Sequence, residues 1–179
     1  MNRILIATLV GLSALTAGCS GVAGDPTPTP TTGGSSTPTS DNNSSQGLNA
    51  LKPCDLLTDA EATTFDAKLP GEEDKIGPAA ICDWTIPGNG GLQVGIRASQ
   101  GVKDLNAQGD KVSEVKVGKF SATKVEAQDG SKSSCAVLIS ASDTSSVAVL
   151  ANMLASSTDT AAACERATKA AELIAPKLP

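Results

Sequence analysis

The chain has 179 residues, with 14 Lys+Arg against 19 Asp+Glu, no histidine, no tyrosine and only 2% aromatic residues. A net charge of −5 with no basic stripe excludes a nucleic-acid binder of the usual electrostatic kind. The missing histidine removes the commonest general acid–base residue, leaving carboxylate or Ser/Lys chemistry as the routes to an enzyme.

Arg3 precedes an apolar run from Ile4 to Leu15, and Leu15-Thr16-Ala17-Gly18 then leads to Cys19. A basic start, an apolar stretch and small residues form a secretory signal peptide over 1–18. The run is about 12 residues, short of the roughly 20 that span a bilayer. Leu15–Cys19 also resembles the lipobox of bacterial lipoproteins, in which the cysteine sulfur is lipidated and becomes the mature N-terminus. Two acyl chains suffice for stable anchoring. The expected location is the cell membrane, lipid-anchored through Cys19 on the extracytoplasmic side. Without Arg3 the mature chain holds 13 Lys+Arg against 19 Asp+Glu, a net charge of −6.

After Cys19, residues 20–47 are Gly, Ser, Thr, Pro, Asp and Asn with almost nothing apolar, so that 19–47 is the lipidated N-terminus and its tether. Such a stretch buries too little surface to offset its chain entropy and is expected to be a disordered tether. As a flexible coil it spans on the order of 30 Å. Its Thr-Pro tract around Pro26, Pro28 and Pro30 also offers O-glycosylation sites, although an unmodified spacer serves equally.

A single domain is expected over 48–179. Thr58 and Glu61 have capping-box spacing, with Leu57 placed to staple against Ala62, which predicts a short helix from about 59 to 67. Residues 68–79 read as a loop. Cys82, Trp84 and Ile86 alternate, Gly88-Asn89-Gly90-Gly91 turns, and Leu92, Val94 and Ile96 alternate again, which is a hairpin with one buried face. A short helix is expected between Val102 and Gln108. Strands follow around Val115–Val117, Phe120–Ala127, Cys135–Ile139 and Val147–Ala151, with Asp129-Gly130 as a tight turn. A final helix begins at Thr158 or Asp159 and stops at Pro176. It lines Cys164, Ala167, Ala171 and Ile174 on one side, with Glu165 and Lys169 as an exposed pair. The expected fold is α+β, an antiparallel sheet of about five to six strands with an N-terminal short helix and a C-terminal helix packed on it.

Cys54, Cys82, Cys135 and Cys164 form an even set in an exported domain and read as disulfides. Three pairings are open to them. We favour Cys54–Cys82 and Cys135–Cys164, each tying a helix to a strand and worth roughly 3.5 kcal/mol by loop entropy. A metal site would want histidine or CxxC spacing, and none is present.

Pro53-Cys54-x-Leu56-Leu57 followed by Cys82-x-Trp84, the later Cys135 and the Cys164-x-x-Ala167 helix resemble an actinobacterial lipoprotein family, domain of unknown function 3558. The resemblance covers roughly residues 50–178. It implies an envelope lipoprotein with paired cysteines and no assigned activity, and it carries no catalytic residue over.

Other constellations are weak. Ser121-x-x-Lys124 and Ser142-Asp143-Thr144 echo penicillin-interacting motifs, but in a strand Ser121 and Lys124 point to opposite faces. Glu72-Glu73-Asp74 lacks the alternating oxygens and glycine of a calcium loop. Asp59 and Glu61 are explained by the helix cap, Gly88–Gly91 by a turn, and Trp84 by a place in the core. No cofactor or metal is implied. The leading expectation is a non-enzymatic envelope module that binds a protein partner or an envelope ligand. The alternatives are a lipid or glycolipid carrier, marked by an apolar groove of several hundred Å³, and a cell-wall hydrolase, marked by two convergent carboxylates with raised pKa. Metabolic labelling with a fatty-acid analogue tests the anchor: Cys19→Ser should lose the label and leave the membrane fraction, and retention of both would refute lipidation at this sulfur.

Overall fold

A computed structural model of the chain describes residues 44–179. The expected signal peptide, Cys19 and the tether up to residue 43 lie outside the described residues. The described part begins with a short helix, α1 (Ser44–Asn49), which places Leu48 in the core, and a 3-10 turn at Pro53–Leu56.

The next helix, α2 (Asp59–Thr63), carries the full capping box. Thr58 N–H donates to Glu61 Oε2 at 2.8 Å, and Glu61 N–H donates to Thr58 Oγ1 at 3.3 Å. The helix is shorter than the expected 59–67. Asp66 turns left-handed (φ 58°), and Ala67 N–H returns to the Ala62 carbonyl at 3.3 Å. That closes the helix and drops Phe65 and Ala67 into the core. Leu57 and Ala62 are both buried in the same core.

Seven strands follow: β1 (Glu72–Ile76), β2 (Ala79–Thr85), β3 (Gly91–Arg97), β4 (Lys111–Val117), β5 (Phe120–Glu126), β6 (Ser134–Ser142) and β7 (Ser145–Asn152). They form one sheet in the order β1-β2-β3-β7-β6-β5-β4, and every neighbouring pair is antiparallel. The α+β class with an antiparallel sheet and a C-terminal helix therefore holds, but the expected five to six strands become seven. The extra strand is β1, inside the stretch read as a loop. All five of its residues are exposed, so it shows no alternation of apolar and polar residues. It is an edge strand in charged dress.

The sheet has an inner and an outer face. On the inner face lie Cys82 and Trp84 of β2, Val94 and Ile96 of β3, Val147 and Val149 of β7, and Val137 and Ile139 of β6, all buried. Each fully buried valine or isoleucine there contributes roughly 1.5–3 kcal/mol. The last helix, α3 (Thr160–Ile174), covers this face with Ala163, Ala167, Ala170, Ala171 and Ile174. Small residues let the helix come close to the sheet, which offsets the scarcity of aromatic side chains. Asp159 caps α3 by accepting from Ala162 N–H at 2.9 Å. The expected Glu165–Lys169 pair is not made: the Lys169 ammonium instead sits 5.3 Å from the centre of the Phe65 ring.

Two disulfides staple helical segments to the inner face. Cys54 on the first 3-10 turn bonds Cys82 of β2, and Cys164 of α3 bonds Cys135 of β6. The C-terminal segment is also tied to the α2 region. Lys177 Nζ donates to the Leu56 carbonyl at 2.9 Å and pairs with Glu61.

Burial works to raise the Glu61 carboxyl pKa, but hydrogen bonds from Lys177 and Thr58 outweigh it and hold the group below its ordinary 4.5. A depressed carboxylate stabilises the fold above its unfolded pKa, and that contribution fades as pH falls through the folded value. Glu61→Gln keeps the cap's shape and removes the charge. It should cost about 1 kcal/mol at neutral pH and progressively less in acid. Urea unfolding at pH 7 and pH 3 measures this, and an equal deficit at both would show that the charge contributes nothing.

Candidate functional site

Because β3 pairs with β7, the chain leaving Arg97 must travel to the far edge before β4 can begin. Residues 98–110 make that journey as a strap across the outer face. The helix expected between Val102 and Gln108 is only a 3-10 turn at Val102–Asp104. Asp104 Oδ2 accepts from Gly101 N–H at 3.1 Å and holds the turn. A longer helix would lift the strap off the sheet. The extended chain instead lays Val102, Leu105 and Ala107 onto Val125, Ala136, Leu138, Ala148 and Leu150.

The strap is pinned at both ends. Ser146 Oγ donates to the Gln100 carbonyl at 2.7 Å. A Cβ on Gly101 would lie 2.2 Å from the Asp143 carbonyl oxygen, and one on Gly109 would lie 2.4 Å from that of Glu126. Only glycine permits so close a backbone approach. Asp110 N–H donates to the Glu126 carbonyl at 2.9 Å, and Asp129 N–H to the Gln108 carbonyl at 3.0 Å.

Between strap and sheet is a cavity of about 190 Å³. Its walls are apolar side chains of the strap, β5, β6 and β7, and its polar part comes from Gln93, Arg97, Asn106 and Gln128. Gly95 lies on the sheet side, where a Cβ would stand 3.3 Å from Ile81 Cγ2 and 3.7 Å from Arg97 Nη1. The bare glycine lets the Arg97 side chain lie over the β3 backbone. Gln93 is already engaged, its Nε2 donating to Asp83 Oδ1 at 2.8 Å.

Arg97 and Gln128 are different. Arg97 is partly buried, and burial lowers the pKa of its guanidinium from its ordinary value. Arginine nevertheless stays charged. No carboxylate or carbonyl partners it among the described residues. Arg166, also desolvated, makes the contrast plain: its Nη1 donates to the carbonyls of Asn89 at 2.9 Å and Asn152 at 3.0 Å. Gln128 Oε1 is buried without a hydrogen-bond partner, while its Nε2 donates to Asp129 Oδ2 at 3.3 Å. Flipping the amide would set oxygen against oxygen at Asp129, so the buried atom is the acceptor. Ala127 (φ 51°) and Asp129 (φ 52°) flank Gln128 in the left-handed region. Such conformations cost of order 1–3 kcal/mol each and cluster at functional sites. A buried acceptor with no donor costs about 1–3 kcal/mol more.

The residues singled out from sequence lie elsewhere. Ser121 is exposed, whereas Lys124 sits on the opposite face and pairs with Glu126 at 3.0 Å, so they make no Ser–Lys couple. Ser142 Oγ is 2.7 Å from Ser145 Oγ in the β6–β7 turn. Glu72, Glu73 and Asp74 lie along β1. Asp59 and Glu61 belong to the α2 cap, and Gly88–Gly91 turns β2 into β3. Trp84 is core, 2% exposed, beside Cys82. Among the described residues no group of three His, Cys, Asp or Glu is placed to hold a metal ion. No described helix is long and apolar enough to cross a membrane.

A wider groove of about 780 Å³ runs between α3 and β5, lined by Lys124, Glu126, Glu165 and Lys169 among others. Its carboxylate Glu126 is held below the ordinary range, first by the hydrogen bond from Lys124, against the opposing pull of desolvation. Lys124 and Lys111 both pair with this carboxylate, so the groove satisfies part of its charge internally.

The family model for DUF3558, described as a protein of unknown function, matches residues 14–177. No curated protein and no solved structure matches the chain.

A Cβ at Gly109 meets backbone rather than a movable side chain. Gly109→Ala should therefore lower stability by about 1–3 kcal/mol. Hydrogen exchange should speed up at Leu105 and Ala107 more than in β3 or β7. Unchanged exchange in the strap would mean that this contact does not hold it down.

Proposed function

We propose, for a chain that belongs to the DUF3558 family of proteins of unknown function, a membrane-anchored cell-envelope lipoprotein whose globular domain is a non-enzymatic binding module. Its ligand site is the cavity beneath the strap. The observation that carries this reading is the Arg97 guanidinium there, which finds no carboxylate or carbonyl partner among the described residues. A pocket that sets apolar side chains beside a few polar groups is what a small-molecule site presents. Lipidation at Cys19 would supply the anchor, and the two disulfides suit an oxidising compartment.

The rival readings receive less support. A lipid or glycolipid carrier needs several hundred Å³. This cavity has about 190 Å³, closer to the 150 Å³ cavity that takes a benzene ring. The groove of about 780 Å³ beside α3 is large enough but is flanked by the charged Lys124, Glu126, Glu165, Lys169 and Glu172, which do not suit an acyl chain. A hydrolase needs a carboxyl with a raised pKa. Among the described residues the two carboxyls that shift, Glu61 and Glu126, are both lowered, and neither lines the cavity.

Methyl NMR of the purified full-length chain against a library of ring-sized molecules tests the site. Binders should shift the methyls of Leu105, Val125, Leu138 and Leu150, and Ala148→Leu, which fills the space, should abolish those shifts. Shifts confined to other parts of the molecule would refute the assignment.

A further inference from the structure

We infer that the turn joining β2 to β3 is a self-modifying site: Asn89 and Gly90 cyclise and reopen as isoaspartate, and the carboxylate so formed seats on Arg166. The reaction takes no ligand and is independent of the cavity. It begins when the backbone nitrogen of Gly90 attacks Cγ of Asn89. The N–Cγ bond forms, the Cγ–Nδ2 bond breaks, and ammonia leaves with the proton of the Gly90 N–H. Water then opens the cyclic imide. Attack at Cγ gives aspartate. Attack at the former main-chain carbonyl of Asn89 breaks its bond to the Gly90 nitrogen and gives isoaspartate, with that carbonyl now a free carboxylate. The net change is ammonia out and water in.

The turn leaves both reacting groups free. Asn89 is exposed, and its side chain makes no hydrogen bond among the described residues. Gly90 N–H has no acceptor there either. The turn is closed instead by Ile86 N–H donating to the Gly90 carbonyl and Asn89 N–H donating to the Ile86 carbonyl, both at 2.9 Å. Glycine at 90 is imposed by the fold, because φ is 88° and a Cβ would stand 2.1 Å from the Asn152 carbonyl oxygen. The attacking nitrogen therefore belongs to a residue with no side chain to shield it. Asp129-Gly130 is the contrasting pair. Its Gly130 N–H donates to the Ala127 carbonyl at 3.0 Å, and Asp129 Oδ2 accepts from Gln128 Nε2 at 3.3 Å, so both groups are occupied. Asn152 donates its amide to the Met153 carbonyl at 3.3 Å, and both it and Asn106 precede residues that carry side chains.

Arg166 directs the opening. Its Nη1 donates to the Asn89 carbonyl at 2.9 Å. A guanidinium on a carbonyl oxygen stabilises the negative charge that gathers there when water adds. Water is thereby steered to the main-chain carbonyl, and the new carboxylate is left against a partly buried cation whose partners among the described residues are two carbonyls. Exchanging a carbonyl for a carboxylate strengthens that contact.

Incubating the purified full-length chain for days in warm, mildly alkaline buffer, followed by peptide mapping that separates isoaspartate from aspartate, tests the inference. Asn89 should convert many-fold faster than Asn106 or Asn152. The ratio of isoaspartate to aspartate at this position should be several-fold higher in the folded chain than in urea. Arg166→Gln should bring the folded ratio down to the unfolded one, and Arg166→Lys, which keeps the charge, should retain part of the excess. An intact Asn89 in the folded chain after full conversion in urea would overturn the site. Isoaspartate arising at Asp129 as fast as at Asn89 would show that the hydrogen bonding of the two turns does not govern the reaction. Equal product ratios in the folded and unfolded wild-type chain would remove the part given to Arg166.

Discussion

The hydrogen bonding of β3 to β7 is the constraint from which the functional face follows. Residues 91–97 pair with residues 146–152, some fifty positions later, and not with the strand that comes next. The intervening chain must leave the middle of the sheet and re-enter at its edge. Short connections usually join sequential strands, so this long-range pairing sets a route that local preference would not choose. The inner face is already filled by α3 and the N-terminal turns. The outer face is the free route, and residues 98–110 become its partial cover.

The two faces then divide stability from binding. The inner face holds the fully buried valines, the alanine-lined helix and both disulfides. The outer face collects what costs free energy: a desolvated arginine without a counter-charge, an orphaned amide oxygen and two residues in the left-handed region. A domain stable by only 5–15 kcal/mol sustains such features when the rest of its structure is sound. The cavity also gains from its mounting. Its sheet side belongs to β3, β5, β6 and β7, and each of these pairs with neighbours on both edges. A site set on strands holds geometry better than one set on loops.

Much of this architecture was legible in the residue pattern, because local rules governed it. Thr58 and Glu61 marked a helix start by their spacing. Cys82-x-Trp84 and Cys135-x-Val137-x-Ile139 marked strands with one buried face, and the alanines of α3 repeated at helical intervals. β1 escaped because alternation appears only where one face is buried, and Glu72–Ile76 is exposed on both. Phe65, folded back past α2, took Lys169 away from Glu165 through a contact between segments about a hundred residues apart. The candidate site was illegible for a related reason. Gln93, Gly95 and Arg97 occupy the polar half of an alternating strand, which reads as a surface turned to solvent. Only the strap, laid over that surface by the β3–β7 pairing, converts it into a cavity. Gln128 lay beside a turn signal, Asp129-Gly130, that accounted for its neighbourhood. Gly101 and Gly109, unremarkable in sequence, mattered through close approaches to backbone distant in the chain.

The sheet is open, so it ends in two rims of unsatisfied backbone, along β1 and β4. On one rim stand Glu72, Glu73, Asp74 and Lys75, and on the other Lys111, Glu114 and Lys116. Joining two copies rim to rim would strip these charges of water, and β1 against β1 would also press like charges together. Copies crowded at high local density are thereby discouraged from zipping into continuous ribbons. The acidic run that lacked the pattern of a calcium loop thus stands along an exposed sheet edge, where charge disfavours strand addition.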